Sequence, residues 1–194
     1  MIAAADLTAD AAAALSRWWS RPTDDTRDLW AATWDTAGEA AAALTSDTNA
    51  LDELRETAGS AEALELLDEY ERLFVGPGPA PCLPYESLWR AGVSRRDAGS
   101  VMGPAALAVA DLYSSIGLAV REDAGELPDH VMIEWEAVAA ALGRGHDEAA
   151  AELLDTHLAL WIGPFCERVA AETTLPFYRS LAVVTREWTD ALAG

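Results

Sequence analysis

The chain has 194 residues, 51% of them hydrophobic, and its 13 basic and 33 acidic residues give a formal net charge of -20. This length and apolar content predict one globular domain, residues 1–194, and exclude a disordered acidic tail. No apolar run reaches the roughly 20 residues that a membrane span needs, because the longest, residues 105–120, is interrupted by Asp111. We expect no secretory signal, since residues 1–10 hold no cation, and no disulfide framework from two cysteines, Cys82 and Cys166.

Every basic residue is an arginine, and the acidic excess admits two interpretations. A net charge of -20 ordinarily disfavours nucleic acid and suggests basic partners. A lysine-free, acid-rich composition is also typical of proteins adapted to molar salt, where the Debye length falls to about 3 Å and surface charge reports the solvent. We favour the second interpretation, which predicts a halophilic protein.

Apolar residues recur every three or four positions along most of the chain, and this period predicts an all-α fold, a single helical bundle. Pro104 and Pro128 stand where a first helical turn tolerates proline. The pair Gly163–Pro164 predicts a break or kink between Leu158 and Phe165. The predicted helices cover residues 26–44, 60–74, 104–119, 128–142, 147–161 and 177–192.

Residues 75–103 lack helical periodicity and hold many prolines and glycines, together with Tyr85 and Trp89. A connection this long is uncommon in a compact domain unless it is functional or disordered, and its apolar centre disfavours disorder. We therefore predict an ordered loop that packs over the bundle.

The first candidate site joins the end of the predicted 60–74 helix to this loop, where residues 69–89 read EYERLFVGPGPAPCLPYESLW. A proline-stiffened loop can hold an apolar groove open at low entropic cost, which suits recognition of a partner chain. A helix stop followed by a well-packed crossover accounts for the same residues. The glycines do not match a phosphate-binding loop.

The second candidate site is residues 126–142, which read ELPDHVMIEWEAVAAAL. If Pro128 opens a helix, Asp129 and His130 lie in its first turn, where the helix dipole favours a neutral imidazole. Glu134 follows His130 by four residues and therefore shares its face. A capping arrangement with a half-buried histidine is the competing interpretation.

No metal or cofactor site is expected. The three histidines, His130, His146 and His157, lack the Glu-x-x-His spacing of di-iron bundles, and the cysteines lack the spacing of a zinc site. His157 lies one turn from two apolar residues, which predicts a core-edge histidine. A nucleophilic Cys–His pair has no support beyond the presence of both residue types.

Together, the two candidate sites resemble the TorD/DmsD/NarJ family of molybdoenzyme maturation chaperones. Residues 69–89 are similar to the family's YxxLFxGPG…PPYES motif and residues 126–142 to its E-x-PDH motif, with Met102–Gly103 in the expected place between them. The likeness extends over residues 60–165. It implies an all-helical, cytoplasmic protein without enzymatic activity. Such a protein binds the immature catalytic subunit of a molybdopterin-dependent oxidoreductase, or its twin-arginine signal peptide, until the cofactor is inserted.

The same resemblance implies which residues contact the client. A groove between the proline loop and the helix at Pro128 would take the apolar part of a peptide, and Asp129 would accept from an arginine. Leu83 replaces a proline of the family pattern, which affects the shape of this groove, and so do the replacements Trp135, Ala137 and Val138. The expected client-binding residues are Tyr70, Leu73, Phe74, Pro84, Tyr85, Glu86, Ser87, Asp129, His130 and Glu134.

Three alternatives stay open. The protein could be a NarJ-like assembly factor whose client carries no export signal, or a small helical enzyme with Asp129, His130 and Glu134 as acid–base groups. A helical transcription regulator would need a basic recognition helix, which the sequence lacks, so no nucleic acid is expected. The resemblance allows a monomer or a homodimer. No residue carries over the weak nucleotide or molybdenum-cofactor binding of some relatives.

Overall fold

A computed structural model of the protein describes residues 4–44, 48–76, 80–90, 103–121 and 125–193. Within these ranges the chain is a helical bundle, as the sequence predicts, and it includes two π-helical segments, Glu71–Val75 and Leu153–Leu158. The described part forms no strand and has no helix long and apolar enough to cross a membrane. The helices are α1 Ala4–Trp18, α2 Asp24–Ala31, α3 Trp34–Leu44, α4 Asn49–Ser60, α5 Ala63–Tyr70, α6 Glu86–Trp89, α7 Pro104–Ser115, α8 Val131–Gly143, α9 Asp147–Glu152, α10 Ala159–Glu172 and α11 Pro176–Leu192.

Tryptophans build much of the core. Helix α1 packs against α3, α8 and α11, and α11 packs in turn against α4 and α10. At the end of α1, the ring of Trp18 stacks on Trp34 with centroids 4.7 Å apart, while Trp19 contacts Phe74 and Phe165. Most tryptophans therefore lie on inward helix faces, and the other fully buried ones are Trp30, Trp135, Trp161 and Trp188.

The single helix predicted over residues 26–44 is wrong, because the chain breaks at Thr33 between α2 and α3. The Thr33 hydroxyl donates to the carbonyl of Trp30 (2.7 Å) and accepts from the indole N–H of Trp18 (3.0 Å). At the break, the Thr33 hydroxyl thus serves as a hydrogen-bond partner for both the Trp30 carbonyl and the Trp18 indole N–H. Residues on both sides of the break keep the helical period, so the apolar pattern alone does not reveal it.

Two further helix boundaries differ from the prediction. Pro128 does not open α8, which begins at Val131 with His130 as its N-cap, so Asp129 lies outside the helix. The pair Gly163–Pro164 does not interrupt α10. Pro164 is exposed, and water can therefore serve the carbonyl group that its missing N–H leaves unbonded. The irregularity lies earlier, in the π-helical segment before α10.

The predicted loop over residues 75–103 is only partly described. Val75 still belongs to the first π-helical segment, and the four-residue helix α6 lies inside the loop, which the sequence pattern did not indicate. Residues 80–90 are ordered against the bundle, as predicted. Residues 77–79 and 91–102, including Met102, lie outside the described part of the chain.

Candidate functional site

The first motif begins where α5 passes into a π-helical turn. The amide of Gly76 closes this turn by donating to the carbonyl of Glu71 (2.7 Å), and its φ of 110° is one that glycine adopts at little cost. The chain then returns, and the amide of Cys82 donates to the carbonyl of Leu73 (3.0 Å). The turn therefore fixes where the proline-rich segment meets the bundle.

The aromatic residues of this motif face the core. Tyr70 and Phe74 meet edge to face with ring centroids 5.1 Å apart, and Phe74 also contacts Trp19, Phe165 and Tyr178. Phe74 is only 4% exposed, and Leu73 is fully buried. These side chains support the motif from below and leave little surface for direct contact.

The two motifs meet through a short backbone bridge. The amide of Glu86 donates to the carbonyl of Asp129 and the amide of Val131 to the carbonyl of Pro84, each at 2.9 Å. Asp129 Oδ2 also accepts from both the amide (3.0 Å) and the hydroxyl of Ser87. Burial raises the pKa of Asp129, and the two bonds from Ser87 offset part of that rise.

His130 is a buried helix cap. Its Nδ1 accepts from the amide of Met132 (3.1 Å), so the imidazole is oriented by the first turn of α8. Burial lowers the pKa of His130 from 6.5 to about 3, which keeps the ring neutral at physiological pH. Tyr85 packs edge to face on this ring with centroids 5.2 Å apart. The competing interpretation, a capping arrangement at His130, agrees with this geometry, but the ring is fully rather than half buried.

Tyr85 and Glu126 form the polar edge of the bridge. The Tyr85 hydroxyl donates to Glu126 Oε2 (2.8 Å), and that oxygen lies 3.8 Å from His130 Nε2. Burial raises the pKa of Glu126, and the hydrogen bond from Tyr85 opposes the rise. The side chain of Glu126 keeps 28% of its surface exposed, so this carboxyl group is accessible from solvent.

Three carboxyl groups are enclosed beneath the bridge: Glu86, Asp129 and Glu134, each with no exposed surface. Glu86 Oε2 lies 2.8 Å from Nδ1 of His157, and Glu86 Oε1 lies 3.2 Å from a guanidinium nitrogen of Arg90. Glu134 Oε2 accepts from the indole N–H of Trp161 (3.1 Å). Burial, with the nearby charge of Glu86, raises the pKa of Glu134 well above its usual range, and the hydrogen bond from Trp161 opposes the rise.

The structure corrects the predicted groove. Among the described residues the two motifs meet directly, and Asp129, the expected arginine acceptor, has no exposed surface. Of the ten predicted client-binding residues, Tyr85 is partly exposed. The other nine are buried: Tyr70, Leu73, Phe74, Pro84, Glu86, Ser87, Asp129, His130 and Glu134. The two segments that the prediction paired do lie together.

Two residues at this site were not predicted as site residues. Glu126 stands in the quoted second motif, and its place at the edge of that motif was the available signal. His157 was taken for a core-edge residue, whereas it is buried against Glu86, 71 positions away in sequence. No local pattern signals a contact over that separation.

Metal and thiol chemistry find no support in the described residues. They contain no group of three or more histidine, cysteine, aspartate or glutamate side chains that could hold a metal ion. Both cysteines are buried free thiols, and burial raises the pKa of Cys82 to about 12 and that of Cys166 further. Neither thiol is activated as a nucleophile.

Comparisons with known proteins agree on one family. The model of the nitrate reductase delta subunit family matches residues 40–167. The chaperone protein TorD of Shewanella loihica is 27% identical over 146 residues, which cover 75% of this chain and 69% of that protein. A solved structure of a protein assigned to redox enzyme maturation in Archaeoglobus fulgidus superposes with a TM-score of 0.64 at 25% identity, covering 94% of this chain and 91% of the other.

Proposed function

Because the chain belongs to the nitrate reductase delta subunit family, we propose that it acts in the cytoplasm on the immature catalytic subunit of a molybdopterin-dependent oxidoreductase. It binds that subunit, or its twin-arginine signal peptide, until the cofactor is inserted. The matched relatives are named as chaperone and maturation proteins, so the chain is a chaperone of redox-enzyme maturation and not an enzyme. The acid–base enzyme that Asp129, His130 and Glu134 suggested is therefore wrong.

The observation that carries the proposal is the meeting of the two motifs at one surface edge. Tyr85 and Glu126 offer an aromatic ring and a carboxyl group there, and His130 packs against the Tyr85 ring. Glu126 Oε1 can accept from a guanidinium, a charge-assisted bond stronger than a neutral one. Glu126 thus takes the role that the sequence assigned to Asp129.

Titration calorimetry at high KCl with a twin-arginine signal peptide from a neighbouring molybdoenzyme tests this proposal. We expect Tyr85→Ala and Glu126→Gln each to weaken binding about five- to tenfold, because each removes one contact at the edge. Glu53→Gln, an exposed glutamate on α4, is the matched control and should bind as wild type does. A peptide with both arginines changed to lysine should also bind more weakly, since it loses bidentate contacts.

The outcomes separate the two forms of the proposal. Binding of the cofactor-free subunit without binding of its signal peptide would favour a NarJ-like assembly factor. The family description, nitrate reductase delta subunit, makes that form the second candidate. If neither the peptide nor the cofactor-free subunit bound, the proposed function would be wrong.

A further inference from the structure

Residues 80–90, here called the strap, are held to the bundle mainly by contacts outside their own helix. Helix α6 has four residues, too few to be stable alone. The strap is fastened at the Pro84–Val131 and Glu86–Asp129 backbone bonds and at the Ser87–Asp129 pair. At its other end, Arg90 donates to the carbonyl of Thr156 (3.0 Å). The strap therefore stays closed only while these contacts last.

Beneath the strap lie the three enclosed carboxyl groups, Glu86, Asp129 and Glu134. Each interacts electrostatically with the other two. Among the described residues, Asp129 Oδ1 and Glu134 Oε1 accept no hydrogen bond, and Glu86 Oε1 has the ion pair with Arg90 at 3.2 Å. Three negative charges in one enclosed space repel strongly, because the interior screens them poorly.

The partners of the three groups are unequal. Glu86 has the guanidinium of Arg90 and the imidazole of His157 beside it, and Asp129 has two donors from Ser87. Among the residues that the structure describes, Glu134 has one hydrogen-bond donor, the indole N–H of Trp161 on α10. Of the described residues, Tyr113 of α7 also interacts with the three carboxyl groups, and its hydroxyl donates to the carbonyl of Pro128 (3.0 Å). Glu134 is therefore the group whose ionisation the site tolerates least.

We propose that Glu134 is the proton-controlled catch of the strap: neutral Glu134 keeps the strap closed, and its ionisation releases the strap and uncovers apolar surface for the client. The uncovered surface would include Phe165, against which Trp89 of the strap packs with ring centroids 5.7 Å apart. Only the identity of what binds there rests on the proposed function. The catch itself is a property of the free chaperone.

Amide hydrogen exchange on the free protein tests the catch. The informative amides are those of Ser87 and Val131, which donate to Asp129 Oδ2 and the Pro84 carbonyl. Between about pH 6 and about pH 9, corrected for the intrinsic exchange rate, we expect both to lose protection at least about tenfold. The amide of Ala37, bonded to the Thr33 carbonyl outside the strap, should not change.

Glu134→Gln keeps the shape of the side chain and cannot ionise, so we expect the amides of Ser87 and Val131 in this variant to stay protected throughout this range. Glu136→Gln, an exposed residue on the same helix, is the matched control and should behave as wild type does. Equal loss of protection in Glu134→Gln and wild type, or no loss in wild type, would overturn the proposal.

A second measurement covers the case in which Glu134→Gln does not fold. The nuclear magnetic resonance signal of the Trp161 indole proton in wild type can be assigned with Trp161→Phe. This signal must shift over the same pH range in which the amides of Ser87 and Val131 lose protection. A shift that does not coincide with that loss would also overturn the catch. If peptide binding were independent of pH, only the claim that the strap regulates binding would be wrong. If the strap opened with pH as expected but no client bound, only the proposed function would be wrong.

Discussion

Glu69, the residue before the first motif tyrosine, shows how a buried charge in this chain is fully satisfied. Its carboxylate accepts two hydrogen bonds from Arg72, at 2.7 and 2.9 Å, and others from the Thr173 hydroxyl (2.9 Å) and the Thr174 amide (2.7 Å). Arg72 also donates to the carbonyl of Glu172 (2.8 Å). The cluster ties the end of α5 to the turn between α10 and α11. It therefore anchors the π-helical turn on which the candidate site is built.

We expect Glu69→Gln to lower the free energy of unfolding by about 2–3 kcal/mol at neutral pH. Burial alone would raise the pKa of Glu69, but the bonds from Arg72, Thr174 and Thr173 lower it from 4.5 to about 2. A carboxyl group whose pKa is depressed by folding stabilises the fold at any pH above its pKa in the unfolded state. That stabilisation is lost as the pH falls from about 4.5 towards 2. Urea unfolding at several pH values measures the difference.

Glu65→Gln is the control for this change, because Glu65 is an exposed residue one turn earlier on α5. Its stability should follow that of wild type within about 0.5 kcal/mol. The difference between Glu69→Gln and wild type should shrink towards zero near pH 2. A difference that persisted there would mean that packing, rather than charge, explains the loss.

Among the elements, the break between α2 and α3 depends on one hydroxyl group. Thr33 is 2% exposed, and its Oγ1 is the acceptor for the indole N–H of Trp18, which is fully buried. Thr33→Val keeps the shape but leaves that N–H without a partner. We expect a loss of about 1–3 kcal/mol in the free energy of unfolding, the cost of a buried, unsatisfied donor.

Thr36→Val provides the matched control for this change. Thr36 lies one turn later, is exposed, and only donates to the Thr33 carbonyl (3.1 Å). Its replacement should cost less than about 0.5 kcal/mol in thermal or urea unfolding. Equal losses in the two variants would show that the Trp18–Thr33 bond does not hold the break.

The helices themselves could be predicted from the sequence, because a 3.6-residue apolar period requires only local information. The start of α8 could not, since Pro128 suits a helix start, whereas the observed start at Val131 accompanies the Glu86–Asp129 and Val131–Pro84 backbone bonds, which join segments far apart in sequence. The continuity of α10 through Pro164 depends on which face of the helix meets solvent. That face is set by the tertiary packing of the helix.

The candidate site divides in the same way. Two motifs at their observed separation predicted which segments would meet, and the backbone bridge at Tyr85 and His130 is that meeting. The apolar period could not distinguish residues that line an open groove from residues that are buried beneath the strap, because both kinds lie on inward helix faces. Asp129 was therefore taken for an exposed acceptor. The pairing of Glu86 with His157 needed the folded chain.

The large negative net charge is the property in which this protein differs most from an ordinary one. The formal net charge is -20, and ion pairs such as Arg168–Glu172 (2.9 Å) and Arg186–Glu167 (3.1 Å) lie on the surface, where each contributes little. Self-repulsion among the acidic groups therefore opposes the compact state at low ionic strength. Salt should relieve that repulsion.

We expect the free energy of unfolding to rise by at least about 1 kcal/mol between about 0.1 M and about 1 M KCl, because the Debye length falls from about 10 Å to about 3 Å. Replacing Glu53, Glu56, Glu148 and Glu152 with glutamine removes four of the 33 acidic side chains from exposed positions. Because self-repulsion grows roughly with the square of net charge, the gain should then be about a third smaller. An equal gain in both proteins would assign the effect of salt to apolar burial instead, and a loss of stability with KCl would contradict the halophilic interpretation of the composition.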